Sequence, residues 1–434
     1  MNASMVSRRL RFGFPQITQI CAESRKVFQA DASDEAQRSR IVQISDSARQ
    51  LCVNLRDLRE TLREVNSTLK FKWLVAFILL TACVDRINFN VPPAKFQTVV
   101  EGMISDSPGP YTVNVSKSLS LDASSPIPSP VENAKIKLYD DEGNSEDLAE
   151  TTPGVYMTGG IIQGKVGHAY YIRVETADGT VFESEPDRIN PVGEVDTIRY
   201  EFEARTVQKS YGEIEADVFN IFVDADAGAG NANFVRWRFT GTYKVLTHPE
   251  FHSIFLQVSS YIDPLPCSGY VVEPALGGGK LLKVAECTCC TCWVNQFESA
   301  PQVSDGQFVS GNQYRNVKVG EVPINSATFS DKYRVEVEQM SLSKNSFEFF
   351  RLIRAQKEGA SSLFQPPFGE IKGNVSAVNS TAPVVGLFWA TSVKTKYLFI
   401  TPGEVPYLLT PMDIITDACT VFSNSSTTQP AFWQ

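Results

Sequence analysis

Runs of period-two alternation constrain this 434-residue chain more than any other feature. In "PYTVNVSKS", Tyr111, Val113 and Val115 alternate with Thr112 and Asn114. In "NAKIKLYDDEGN", Ala134, Ile136 and Leu138 alternate with Lys135, Lys137 and Tyr139. Successive side chains of a strand point to opposite faces, so each run fits an antiparallel sheet with one covered side. "AYYIRVETADGTVFES" sets Asp178-Gly179 between two such runs, the turn signature of a β-hairpin. Several short strands with regular turns predict a sandwich, so an immunoglobulin- or transthyretin-like β domain is expected over 95–190. "DRINPVGEVD" reads as a linker.

A second β domain is expected over 195–434. "TIRYEFEA" alternates through Ile198, Tyr200 and Phe202, "NFVRWRFTGTYKV" through Val235, Trp237 and Phe239, and "DKYRVEVEQMSLS" through Tyr333, Val335 and Val337. One helix is predicted after residue 95, over 345–358 in "NSFEFFRLIRAQKEG". Phe347, Phe350 and Ile353 form its apolar stripe and Gly359 stands where a terminating glycine would. The fold class is therefore mainly β: two antiparallel sandwiches, a helix packed on the second, and a separate N-terminal segment.

That segment carries its own signals. "KFKWLVAFILLTACVDR" holds an apolar run from Trp73 to Val84 behind Lys70 and Lys72. The run is shorter than the roughly 20 residues a helix needs to cross a bilayer, and it fits a signal-peptide core. Leu80-Thr81-Ala82-Cys83 has the form of a bacterial lipobox, which predicts a signal over 69–82, cleavage before Cys83, acylation there, and a lipidated tether over 83–94. Two or three acyl chains would hold the chain on a membrane durably. Upstream, Ile44, Ala48, Leu51, Leu55, Leu58, Leu62, Val65 and Leu69 recur at spacings of four and three, a heptad stripe that predicts a helix within 1–68. Either that helix precedes a signal anchor, or translation starts at Leu69 from an alternative codon. The second is the expectation here, with the heptads standing against it.

Charge narrows the partners. Residues 1–82 carry 13 Lys+Arg against 8 Asp+Glu, and the remainder carries 27 against 41. An acidic body lacks the clustered cations that phosphate backbones require, so nucleic acid is not expected as a partner.

The segments "VVEGMISDSPGPYTVNVSKS", "AKIKLYDDEGNSEDLAETTPGVYMT", "GKVGHAYYIRVETADGTVFESEPDRI", "RWRFTGTYKV", "YRVEVEQMSLSKNSFEFFRLIRAQKEGASSLFQPP", "IKGNVSAVNSTAPVVGLFWAT" and "NSSTTQPAFW" together resemble a bacteroidete family of exported lipoproteins catalogued as a domain of unknown function. The resemblance runs from Cys83 to the C-terminus. It implies an outer-membrane lipoprotein, in a family often encoded beside a TonB-dependent transporter, and it implies no catalytic residues. The extension before the signal departs from the family's pattern.

Nine cysteines divide by position. Cys21 and Cys52 fall in the extension and Cys83 is the lipidation site. The remaining Cys267, Cys287, Cys289, Cys290, Cys292 and Cys419 are even in number, as disulfides in an exported chain would be. The C-x-C-C-x-C spacing of "ECTCCTCW" does not match the paired C-x₂-C hooks of zinc sites. Connectivity is open, with Cys267 expected to reach back to the cluster. "HPEFH" sets His248, Glu250 and His252 at alternate positions, which on a strand would offer a metal two imidazoles and a carboxylate, although Pro249 argues against a regular strand. "DADAGAGN" has Ala229 and Val235 where a calcium loop starting at Asp224 needs Gly and Glu, and "GGGK" at 277–280 lacks the Ser or Thr of a phosphate loop. With three histidines and no nucleophile motif, no catalytic site and no cofactor are expected. Phe364 and Phe368 of "SLFQPPFGE" are contact candidates. The expected function is that of a non-catalytic accessory or ligand-capturing partner of a TonB-dependent transporter, lipid-anchored in the outer membrane. The alternative is a structural or adhesive envelope protein, and a secreted-side hydrolase is the third reading.

Overall fold

The computed structural model describes residues 96–433, apart from 119–127, 210–211, 229–233, 257–258, 276–277, 307–308, 310, 360–370 and 412. The helix expected within 1–68, the signal segment 69–82, Cys83 and its tether lie outside the described residues, as do Phe364 and Phe368.

Nine strands open the described chain: β1 (Thr98–Ser105), β2 (Thr112–Lys117), β3 (Ser129–Pro130), β4 (Lys135–Asp140), β5 (Ser145–Thr152), β6 (Val155–Met157), β7 (Ala169–Glu175), β8 (Val181–Ser184) and β9 (Asp187–Arg188). The alternating runs sort their side chains as expected. Val113 and Val115 on β2 and Ile136 and Leu138 on β4 are buried, while Asn114 and Lys135 are exposed. Asp178-Gly179 makes the β7–β8 turn. Gly179 takes φ +82° and donates its N–H to the Thr176 carbonyl, and the Asp178 carboxylate accepts from Thr176 Oγ1 and the Thr180 N–H.

The rest of the chain supplies β10 (Val195–Glu203), β11 (Thr206–Lys209), β12 (Gly212–Glu215), β13 (Val218–Asp226), β14 (Val235–Leu246), β15 (Ser253–Leu256), β16 (Ser259–Ile262), β17 (Tyr270–Ala275), β18 (Gly278–Lys283), β19 (Thr291–Phe297), β20 (Gln302–Ser304), β21 (Gln313–Pro323) and β22 (Tyr333–Ser341). The helix α1 (Lys344–Gly359) follows, then β23 (Val375–Ala377), β24 (Val384–Thr391), β25 (Val393–Ile400) and β26 (Ser425–Ser426). The architecture is mainly β, and α1 is the one α-helix among the described residues. It matches the expected 345–358 to within a residue at each end.

Two sheets, β10-β13-β21 and β25-β22-β14-β19-β26, share one core. It is built from Phe219, Ile221 and Val223 of β13, Trp237 and Phe239 of β14, and Tyr333, Val335 and Val337 of β22. The other large sheet runs β23-β8-β7-β4-β5-β6-β2-β1-β24, with β3 on β2 and β9 on β7. Its ends approach each other, since β24 lies against β7, β8, β9 and β23, so the sheet nearly closes on itself.

Here the structure corrects the sequence reading. Residues 375–391 were expected within a second domain over 195–434, yet β23 pairs with β8, and β24 runs parallel to β1 from Thr98↔Val384 to Ser105↔Thr391. The segment "VVGLFWAT" is apolar nearly throughout because β24 is covered on both faces, as parallel strands usually are. Phe388 and Ala390 point into the first core, and Leu387 and Trp389 point the other way, toward Phe347 and Phe350 of α1. Asn374 fastens the return: its amide accepts from the Phe388 N–H at 3.0 Å and donates to the Phe388 carbonyl at 2.6 Å. Asp187 on β9 accepts from the Ala390 N–H and from Ser346 Oγ, both at 3.0 Å, which joins β9, β24 and α1. The described residues accordingly form one compact unit. Among the described residues, no helix is long and apolar enough to cross a membrane.

Candidate functional site

Between β14 and β19 the chain leaves the sheet and builds two hairpins, β15–β16 and β17–β18, that pair with no other sheet among the described residues. An isolated two-stranded hairpin is marginal in water, so something must hold these two at their base. The cysteine cluster does so. Cys267 bonds Cys289, Cys287 bonds Cys290, and Cys292 at the start of β19 bonds Cys419. All six cysteines outside the N-terminal segment are therefore paired, and Cys267 does reach back to the cluster. Backbone bonds tighten the same base: Thr247 N–H to the Cys290 carbonyl at 2.8 Å, Thr288 N–H to Cys267 at 2.9 Å, and Cys419 N–H to Cys289 at 2.9 Å.

The hairpins above this base are apolar on both faces. On β15–β16, Ile254 stands opposite Tyr261 on one face, and Phe255 and Ile262 share the other. On β17–β18, Val271 stands opposite Leu282, and Val272 opposite Leu281 on the reverse side. These side chains are largely in solvent: Phe255 is 71% exposed and Tyr261 54%, and Ile262, Val271 and Leu282 are exposed as well. Phe251 and Val284, at the hairpin roots, extend the surface. Single exposed apolar residues are unremarkable, whereas a contiguous set on both sides of two ribbons marks a contact surface. Sequence reasoning gave these residues no role. The signal was present in "SIFL" and "YVV", where apolar residues follow one another without the alternation of a half-covered strand. Polar residues sit among them: Ser253 opposite Ile262, Ser260 opposite Phe255, and Glu273 opposite Lys280. Lys283 donates to both carboxylate oxygens of Glu286, at 2.8 and 2.9 Å, and that contact holds its ammonium above the ordinary lysine range.

The "HPEFH" residues lie at the foot of the first hairpin. Pro249–Phe251 forms a 3₁₀ turn, which removes the common face that a strand would have given the three side chains. His248 Nδ1 contacts Glu250 Oε1 at 2.9 Å. His252 turns elsewhere, with Nδ1 on the Asp263 carbonyl at 2.9 Å and Nε2 4.0 Å from Asp417. Among the described residues, no group of three His, Cys, Asp or Glu side chains is placed to hold a metal ion. The acids of "DADAGAGN" serve the backbone. Asp224 accepts from the Asn316 N–H and contacts Arg199, and the former bond chiefly keeps its carboxyl below the usual range. Asp226 accepts from the Gly228 N–H and Asn312 Nδ2. The lysine of "GGGK" lies on β18 within the second hairpin.

A groove of about 310 Å³ lies beside α1, lined by Val303, Phe347, Arg351, Arg354 and Ala355 among others. Its arginines are engaged, Arg351 with Glu348 and Arg354 with Glu358, which leaves a shallow, charge-balanced trough.

A family described as Domain of unknown function (DUF4249) matches residues 84–397, and the chain belongs to that family. No curated protein matches the chain.

Proposed function

We propose that this member of the DUF4249 family works by binding rather than catalysis, as an exported lipoprotein held in the outer membrane through acylated Cys83 and acting as an accessory or ligand-capturing partner of a TonB-dependent transporter. The observation that carries the reading is the hairpin pair: apolar on both faces, exposed, and clamped at its base by three disulfides. A rigid base loses little conformational entropy on association, and each aromatic or aliphatic side chain buried against a partner is worth about 1.5–3 kcal/mol of transfer free energy. Disulfides fit an oxidising compartment outside the cytoplasm. The lipobox at Leu80–Cys83 supplies the anchor in this reading, and the alternating strands of β1–β9 an immunoglobulin- or transthyretin-like sandwich.

The test is a C-terminal affinity pull-down from detergent-solubilised outer membrane, with mass spectrometry of the recovered proteins. Wild type is expected to bring down a TonB-dependent transporter and to begin at acylated Cys83. A Phe255→Ser/Tyr261→Ser variant should lose the transporter while keeping its melting temperature. Recovery of the chain alone, with Cys83 unmodified, would overturn the reading and leave a structural or adhesive envelope protein.

A further inference from the structure

Three disulfides meet within the six residues from Cys287 to Cys292, and they constrain the chain very differently. Cys292–Cys419 joins residues 127 apart in sequence, and both ends are fully buried. Cys267–Cys289 joins residues 22 apart, with Cys289 only 4% exposed. Cys287–Cys290 joins residues 3 apart, and both of its cysteines are half-buried. A cross-link stabilises mainly by restricting the unfolded chain, and that restriction grows with the loop it closes. By this measure the third bond contributes least to the fold, and it is the one of the three with neither cysteine buried.

The surroundings would keep this loop in place with the bond open. The Cys290 carbonyl accepts from the Thr247 N–H and the Thr288 N–H donates to Cys267. The Cys289 carbonyl accepts from the Cys419 N–H and Thr247 Oγ1. None of these contacts uses the Cys287 or Cys290 sulfur, and the other two disulfides pin Cys289, between the two cysteines, and Cys292, two residues beyond Cys290. The opened thiols would stay near one another and could close again.

A C-x-x-C pair that drives exchange sits at a helix N-terminus or beside a free cation, which makes one thiol acidic. Residues 287–290 lie in no helix, and β19 begins at Thr291. Glu286 precedes the pair and engages the ammonium of Lys283. The pair lacks the setting of an attacking thiolate, and its part in exchange is that of the disulfide attacked.

We propose that Cys287–Cys290 is a thiol-exchange site that accepts electrons from a dithiol reductant while Cys267–Cys289 and Cys292–Cys419 stay closed. A thiolate of the reductant attacks one of the two sulfurs, the Cys287–Cys290 bond breaks, and an intermolecular disulfide forms. The released cysteine thiolate takes a proton. The reductant's second thiolate then attacks its own sulfur in the mixed disulfide, leaves oxidised, and the second cysteine is protonated. Two electrons have passed to the chain, and two cysteine thiols stand where one disulfide was. The proposal concerns the base of the hairpins and stands whether or not the binding reading holds.

The test is a titration of the native full chain with dithiothreitol, quenched with N-ethylmaleimide and read by tandem mass spectrometry, with a thermal melt at each step. Cys287 and Cys290 should be labelled at about tenfold less reductant than the other four, with the melting transition retained. Coincident labelling of all six, or earlier opening of either other bond, would overturn the proposal. A Cys287→Ser/Cys290→Ser variant should fold and leave the remaining pairs protected; failure to fold would show that the bond is not dispensable and would sink the idea equally.

Discussion

Gln339 and Trp237 share a 2.8 Å hydrogen bond in the core, with the indole Nε1–H donating to the carboxamide oxygen and both side chains buried. The Gln339 amide nitrogen donates in turn to the carbonyls of Gly193 at 3.0 Å and Asp226 at 2.7 Å. One side chain thus fastens the segment after β9, the end of β13 and the start of β14 to β22. A buried amide is tolerated in such a place only because its partners are complete.

Gln339→Leu should therefore be costly despite its similar size. It strands one donor and two acceptors, and a loss of about 3 kcal/mol is expected even if part of the network relaxes. Gln339→Glu should be worse at neutral pH, since a carboxylate would face two carbonyl oxygens. Urea unfolding of the three proteins checks this; equal midpoints for wild type and Gln339→Leu would refute it.

The contrast between β4 and β24 shows which parts of the fold the sequence made legible. Ile136 and Leu138 alternate with polar neighbours because one side of β4 faces solvent, and the period is visible in the residues themselves. Leu387, Phe388, Trp389 and Ala390 carry no such period, since one core takes alternate residues and the helix takes the others. A continuous apolar run does not say which strand it will join, so the parallel pairing with β1 was out of reach. The hairpins were hidden for the opposite reason: their apolar residues belong to none of the three cores. Pro249 was the readable clue that "HPEFH" would not be a strand. The disulfide base was legible in kind from the even cysteine count, while the partners of Cys287 and Cys419 depend on backbone paths that spacing alone does not define.

Asp187 gives a pH dependence of definite sign. Burial raises its pKa in the folded protein, and the bonds from the Ala390 N–H, Ser343 and Ser346 offset this only in part. A carboxyl with a raised folded-state pKa contributes stability that is present below its unfolded value, near 3.9, and lost as pH rises through the folded value. Asp187→Asn keeps an acceptor oxygen and cannot ionise. The unfolding free energy of wild type minus that of Asp187→Asn should fall as pH rises from about 3 to 7. Carboxyls held low, such as Glu203 beside Asn220 and Glu321 beside Arg205, act in the opposite sense and cancel in the difference. A difference that is flat or rises with pH would contradict the assignment.

Gly386 sits on β24 with φ +129°, and a Cβ there would lie 1.9 Å from the Val100 carbonyl oxygen, on the residue it pairs with in β1. Gly386→Ala should cost about 3 kcal/mol or more, because neither the conformation nor the space allows the methyl group. Gly143 also has positive φ, at +89°, but a Cβ there would meet nothing within 4 Å. Gly143→Ala should cost about 1–2 kcal/mol, the conformational term alone. Thermal melts of the two variants separate steric from backbone strain, and similar losses would mean that β24 shifts to admit the methyl group.

The Cys292–Cys419 bond should dominate the covalent contribution to stability. It closes 127 residues of sequence, for which the chain-entropy relation gives about 5 kcal/mol, against about 2 kcal/mol for the 3-residue separation of Cys287–Cys290. Both of its sulfurs lie in residues without solvent exposure, so Cys292→Ser/Cys419→Ser also buries two hydroxyls. That variant should melt about 5–10 °C below wild type, while Cys287→Ser/Cys290→Ser stays within a few degrees. Calorimetry of both double variants under identical conditions measures the gap. If the two melt together, the cluster acts as a single staple and the ranking by loop length fails.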